Sequence, residues 1–177
     1  QVEDVWRHTE QFCAQSFGAE LATEAAAILD TYPKYNRRIT VEHLSWNTYS
    51  LENYDEWARV RGEYDQLLLD AFRLYYRLPD EARAAYDQLI LYPVQACANL
   101  YDMYHSLALA KAGLGSEDEV HKCFVRDAEL TKRYHECIAG GKWNHIMDQV
   151  HIGYRSWQDP QRNIEPTVED ILSTESM

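Results

Sequence analysis

Apolar residues recur along this chain at helical spacing almost from its first residue. Val5, Trp6, Thr9, Phe12, Cys13 and Phe17 fall on one face of a helix that Gly18 can end. An Ala- and Glu-rich stretch from Ala19 to Tyr32 reads as a second helix, and Pro33 disfavours helical backbone at Tyr32. Residues 33–49 then read as a polar and aromatic loop. Ser50 is a good N-cap for a third helix over 51–77, with Tyr54, Trp57, Val60, Tyr64, Leu67, Leu68, Ala71 and Leu74 as its stripe. Pro79 breaks that helix. A fourth begins near Asp80, passes through Pro93 with a kink, and continues through Ala96, Leu100, Met103, Leu107 and Ala110 to Gly113. Ser116 and Glu119 have the spacing of a capping box for a fifth helix over 117–138, which Gly140 and Gly141 stop. A short sixth helical segment follows, and beyond Asp159 the pattern dissolves.

The fold expected is therefore all-α: an antiparallel bundle of about five main helices, the fourth kinked at Pro93, plus a short C-terminal helical segment. Residues 1–157 read as the bundle domain and 158–177 as a linker toward a further domain. The chain opens in helical pattern, without the apolar stretch of a signal peptide, and reads as a segment of a longer polypeptide. No 34-residue repeat points to a solenoid, and no apolar run is long enough to span a membrane.

At 177 residues and 46% apolar the chain can bury a core without staples. The four cysteines, Cys13, Cys97, Cys123 and Cys137, form no CxxC pair, and free thiols are the favoured reading. A net charge of −12 argues against a nucleic-acid backbone or an anionic membrane as partner. Two local exceptions stand out. Residues 33–46 carry Lys34, Arg37 and Arg38 against Glu42, and residues 142–157 carry Lys142 and Arg155 against Asp148. Thirteen tyrosines and five tryptophans give an aromatic fraction of 12%, which suits a Tyr-rich core and equally suits wet, sugar-like ligands.

Candidate chemistry concentrates in 142–157, where Trp143, Asn144, His145, Asp148, His151 and Tyr154 lie together. On a helix His145 and Asp148 share a face, with His151 three further along. Two readings of the cluster stay open: a buried hydrogen-bond network anchoring the bundle end, and a sugar-facing edge. The spacing matches no zinc signature, so no metal is expected. A second cluster, 32–49, offers Arg37 and Arg38 for bidentate carboxylate binding beside Tyr35, Trp46 and Tyr49; a surface loop pinned by aromatics is the plainer reading. Phosphate loops, dinucleotide fingerprints and nucleophile elbows are absent. Glycoside hydrolysis needs two carboxyl groups flanking one bond, and the aromatic segment offers Asp148 alone, so no catalytic residue is expected in this chain.

Four long words are similar to stretches of glycoside hydrolase family 115. They are ILDTYPKYNRRITVEHLSWNTYSLENYDE (28–56), LILYPVQACANLYDMY (89–104), RDAELTKRYHE (126–136) and AGGKWNHIMDQVHIGYRSW (139–157). They occur in the family's order across about 17–166. The chain departs from the family after Asn36, where no Gly follows and Ile39-Thr40 stand in place of Lys-Pro. The resemblance implies a helical bundle that follows a catalytic barrel and precedes a β-rich domain. It implies an inverting α-glucuronidase that removes glucuronic acid, or its 4-O-methyl ether, from xylan-type polysaccharides such as glucuronoxylan. The acid and base are then expected on the barrel. The bundle is expected to pack on the barrel and the C-terminal domain, support a homodimer, and bring Tyr154 near the active-site mouth. The isolated segment is expected to be inactive. A secreted or periplasmic location and no cofactor are implied as well. The alternative is a non-catalytic helical protein-interaction module.

Overall fold

The computed structural model describes residues 2–154 and 160–170. Its helices are α1 (Val2–Phe17), α2 (Ala22–Asn36), α3 (Glu56–Tyr75), α4 (Asp80–Tyr86), α5 (Tyr92–Lys111) and α6 (Glu117–Glu136). A π turn (Asp87–Leu91) joins α4 to α5, and 3₁₀ turns occupy Val41–His43 and Ile138–Gly141. No strand occurs among the described residues, and none of their helices is long and apolar enough to cross a membrane. The expected all-helical bundle is what the chain forms.

Local chemistry explains most of the boundaries. Gly18 leaves α1 at φ 96°. Gly113, at φ 72°, closes α5 with both bonds of a Schellman motif: Leu114 N–H donates to Leu109 O (2.8 Å) and Gly113 N–H to Ala110 O (3.0 Å). Ser116 Oγ accepts from Asp118 N–H at 3.1 Å and opens α6. The expected capping box does not form: Ser116 caps through Asp118 N–H, and the Glu119 side chain pairs with Lys122.

Helix α5 packs on α3 and on α6, while α1 packs on α2. One core, around Phe17, Ala25, Leu74 and Tyr86, lies among α1, α2, α4 and the C-terminal half of α3. A second, around Trp57, Tyr64, Tyr101 and Met103, lies among α5, α6, the N-terminal half of α3 and the 37–55 connection. Thus α3 spans both. A small third cluster of Tyr92, Tyr134 and Ile138 closes the end of the bundle beneath Trp143.

Four sequence expectations change. Helix α2 does not stop at Tyr32 but continues through Pro33 to Asn36. A proline there forfeits a backbone bond, yet the last turn is held by tertiary contacts: Tyr32 and Tyr35 pack on both cores, and Asn36 Oδ1 accepts from Tyr64 OH at 2.6 Å. Helix α3 starts at Glu56, five residues late. Ser50 does cap, but it caps a separate turn, its Oγ accepting from Glu52 N–H (3.1 Å) and Asn53 N–H (2.8 Å). Left-handed backbone at Tyr54 and Asp55 then separates that turn from the helix and leaves Tyr54 95% exposed, outside the stripe. The fourth helix is not an α-helix bent at Pro93. Its winding widens one turn earlier, Tyr92 N–H donating to Asp87 O, and Pro93 sits in the first turn of α5, where its missing N–H matters least. Finally, 142–147 is a run of turns and not a sixth helix, because Gly140, Gly141 and His145 all have positive φ. Residues 148–154 carry no helix either, and the end of that expected segment, 155–158, lies outside the described residues.

Trp57 is fully buried, and its Nε1–H donates to Trp46 O at 3.0 Å. Trp57→Ala should lower unfolding free energy in urea by about 3–5 kcal/mol, whereas Tyr54→Ala should stay within about 0.5 kcal/mol of the parent.

Candidate functional site

The π turn places Tyr92 and Pro93 at the end of the bundle, where α2, the first 3₁₀ turn and α6 also converge. A cavity of about 340 Å³ opens there. Tyr32, Val41 and Glu42 form one wall. Tyr92, Pro93, Ala96 and Cys97 form the floor, and Tyr134 comes from α6. Ile146, Met147, Gln149, Val150 and His151 make the roof. Each of the four words that carry the family resemblance contributes to this one cavity, although up to about a hundred residues separate them in the chain.

The roof is tied down by side chains, since its backbone has little regular structure. His151 Nε2 lies 3.0 and 2.9 Å from the two oxygens of Asp127, whose side chain is 4% exposed. Its Nδ1 lies 3.1 Å from Gln149 O. Burial works against a charge on His151. The Asp127 hydrogen bond and carboxylate, the Gln149 carbonyl and the nearby Glu42 outweigh it and hold the pKa above 6.5. Asn163 Oδ1 accepts from the N–H groups of His151 (3.0 Å) and Ile152 (3.2 Å), and Ile164 N–H donates to Ile152 O at 3.3 Å. At the other end of the roof, Met147 N–H donates to His135 Nε2 at 3.0 Å.

From the cavity lining a partly buried polar chain runs into the bundle. Tyr64 OH donates to Asn36, Asn36 Nδ2 donates to Cys97 Sγ at 3.8 Å, and Cys97 Sγ–H meets Tyr32 OH at 3.8 Å. Burial raises the Cys97 pKa, so this group is a neutral thiol. All four cysteines are free.

The candidate residues are placed differently. His151 reaches the cavity directly. Trp143 packs half-buried on the Tyr92–Tyr134–Ile138 cluster, with Lys142 Nζ 4.8 Å from its ring centroid and its indole N–H unpaired among protein groups. His145 and Asp148 do meet, Nδ1 to Oδ2 at 2.9 Å, but across an exposed turn and not along a helix face. Asn144 is exposed, its N–H donating to Gly141 O at 3.1 Å, and Tyr154 is half-buried. Arg37 and Arg38 do not line the cavity. Arg38 pairs with Glu63 and lies over the Tyr35 ring at 4.5 Å, while exposed Arg37 borders a groove that also holds Glu3, Glu10 and Asp30.

Sequence reasoning missed Asp127, Glu42 and Tyr134. A signal for Asp127 existed: it occupies a buried position of α6 in register with Val120, Cys123 and Tyr134. A carboxylate in an apolar stripe needs a partner. With Asp127 engaged by His151, the arrangement is suited to holding and orienting a ligand. Among the described residues no group of three or more His, Cys, Asp and Glu side chains is placed to hold a metal ion.

No family model matches this sequence, and no curated protein matches it. A solved structure does match in fold, described as a family GH115 4-O-methyl-alpha-glucuronidase with specificity for decorated arabinogalactans. The TM-score is 0.69 at 20% identity, over 81% of this chain and 20% of that one. The chain thus spans about a fifth of the length of that protein, and the two share a helical fold.

Thiol chemistry checks the cavity floor. Burial pushes the Cys13 thiol up to about 11 and Cys123 to about 12, while Cys137 is exposed. N-ethylmaleimide at pH 6 followed by peptide mapping should label Cys137 in the folded protein, and Cys13, Cys97 and Cys123 only after unfolding.

Proposed function

We propose that this chain is the helical module of a multidomain inverting α-glucuronidase. The observation that carries the reading is the fold shared with a segment of a GH115 glucuronidase over 81% of the chain. The convergence of four separate family-like stretches on one cavity supports it. In this reading the acid and base carboxyls stand on a preceding barrel. The bundle packs against that barrel through its 142–154 end and supports a homodimer, and 158–177 leads to a following domain. Trp143, Tyr154 and the cavity walls border the active-site mouth, where aromatic faces meet the C–H face of a sugar and polar groups meet its hydroxyls. The substrate is a polysaccharide bearing α-linked glucuronic acid or its 4-O-methyl ether. Glucuronoxylan follows from the family resemblance. The structural neighbour is described as specific for decorated arabinogalactans.

The test uses the intact parent polypeptide, incubated separately with glucuronoxylan and with glucuronic-acid-decorated arabinogalactan. Release of the free acid from either is expected, and release from neither refutes the reading. Trp143→Ala and Tyr154→Ala should each lower kcat/KM by about tenfold, equivalent to about 1.4 kcal/mol of transition-state binding. Unchanged kinetics with an unchanged dimer in both variants would remove the proposed role of this end of the bundle.

A further inference from the structure

The roof of the cavity is fastened at one end by His151 and Asn163 and at the other by His135, and the protonation of His151 is legible in its contacts. A neutral imidazole has a single N–H and can donate to a single acceptor, whereas an imidazolium donates from both nitrogens. His151 faces an acceptor at each: the Asp127 carboxylate at Nε2 (2.9 Å) and the Gln149 carbonyl at Nδ1 (3.1 Å). The bound ring is therefore satisfied only when charged.

The surroundings favour that charge. Asp127 of α6 and Glu42 of the first 3₁₀ turn are the acidic groups facing His151. Tyr92 and Tyr104 of α5 lie near Asp127, and burial keeps both phenols neutral. The α6 cations nearby are engaged elsewhere, Arg133 with Asp87 and Gln95, and Arg126 with Asp102. On the strap side the neighbour is the neutral amide of Asn163. A histidine of α6, His121, meets Glu165 at 3.0 Å and fastens the 160–168 strap to the same helix, where Glu117 also accepts from Val168 N–H at 3.1 Å.

We propose that the His151–Asp127 pair is a proton-dependent latch: it holds the 149–151 end of the roof closed over the cavity while the imidazolium is present and releases that end when the proton is lost. The direction follows from the raised pKa of the closed form. The latch contributes in full below about pH 6.5, the value for a free histidine, and its contribution is lost as pH rises through the closed-state pKa. Opening exposes Cys97 and the tyrosine walls, so access to the cavity increases toward mildly alkaline pH. Only the consequence for sugar binding rests on the glucuronidase reading; the latch does not.

Hydrogen-exchange mass spectrometry on the intact parent protein between pH 6 and 9, with rates divided by their intrinsic values, tests it. Protection of peptides spanning 149–154 should fall across this range by about tenfold for each unit by which the closed-state pKa exceeds that of free histidine. Peptides from the centre of α5 should stay constant. His151→Gln and Asp127→Asn should each abolish the pH dependence, and an NMR titration should place the wild-type His151 midpoint above that of an unfolded peptide. Three outcomes would each overturn the latch: flat protection in the wild type, an unchanged fall in His151→Gln, or an equal fall in α5. Loss of the glucuronidase reading is seen separately, as absence of product release, and leaves the exchange result standing.

Discussion

Helix α5 is buried on almost every side, and the bundle depends on pairing the amide and carboxylate it carries, Asn99 and Asp102, while His105 Nδ1 finds no hydrogen-bond partner. Asn99 shows the arrangement most fully: its Nδ2 donates to Cys123 O at 2.8 Å, and its Oδ1 faces Arg126 at 3.5 Å. His105 lies flat against Trp57, ring centroids 5.8 Å apart and 10° from parallel. Burial and the Arg61 charge pull its pKa below 6.5, so it stays neutral. Asp102 draws Arg61 from α3 (2.8 Å) and Arg126 from α6 (3.6 Å) across the two faces of the helix. An α5 with Asn99 and Asp102 unpaired would carry a desolvation cost of about 1–3 kcal/mol at each.

Elements whose ends depend on their own residues were legible in the sequence. Gly18, Gly113 and Ser116 act through the local backbone, and the chain stops and starts where they stand. Pro33 and Ser50 misled because distant partners decide their outcome. The turn after Pro33 is fixed by Tyr64 and by packing on two cores, and the turn after Ser50 by a Trp57 that must be buried. The site was legible in the same uneven way. Its location in 142–154 could be read from density of aromatic and polar residues. The partnership of His151 with a carboxylate 24 positions upstream could not, since no periodicity links α6 to an irregular segment.

Charge tells a similar story about the two basic islands. Lys34 pairs with Asp30 and Arg38 with Glu63, so the cationic appearance of 33–46 is largely neutralised by neighbours outside that window. What remains at the bundle end is a site in which tyrosines supply surface, a histidine and an aspartate supply fastening, and few charges are free to discriminate. Specificity for an acidic sugar would then have to come from groups on an apposed domain.

Gly153 sits at φ 74°, where a side-chain carbon would come within 3.2 Å of Ile164 O and 3.3 Å of Ile164 Cβ. The two irregular segments therefore touch backbone to backbone at this point. Substituting even alanine would drive them apart and tug at the Asn163 amide that grips residues 151 and 152. A single methyl group placed there would act as a wedge, disturbing the ceiling of a chamber it never touches.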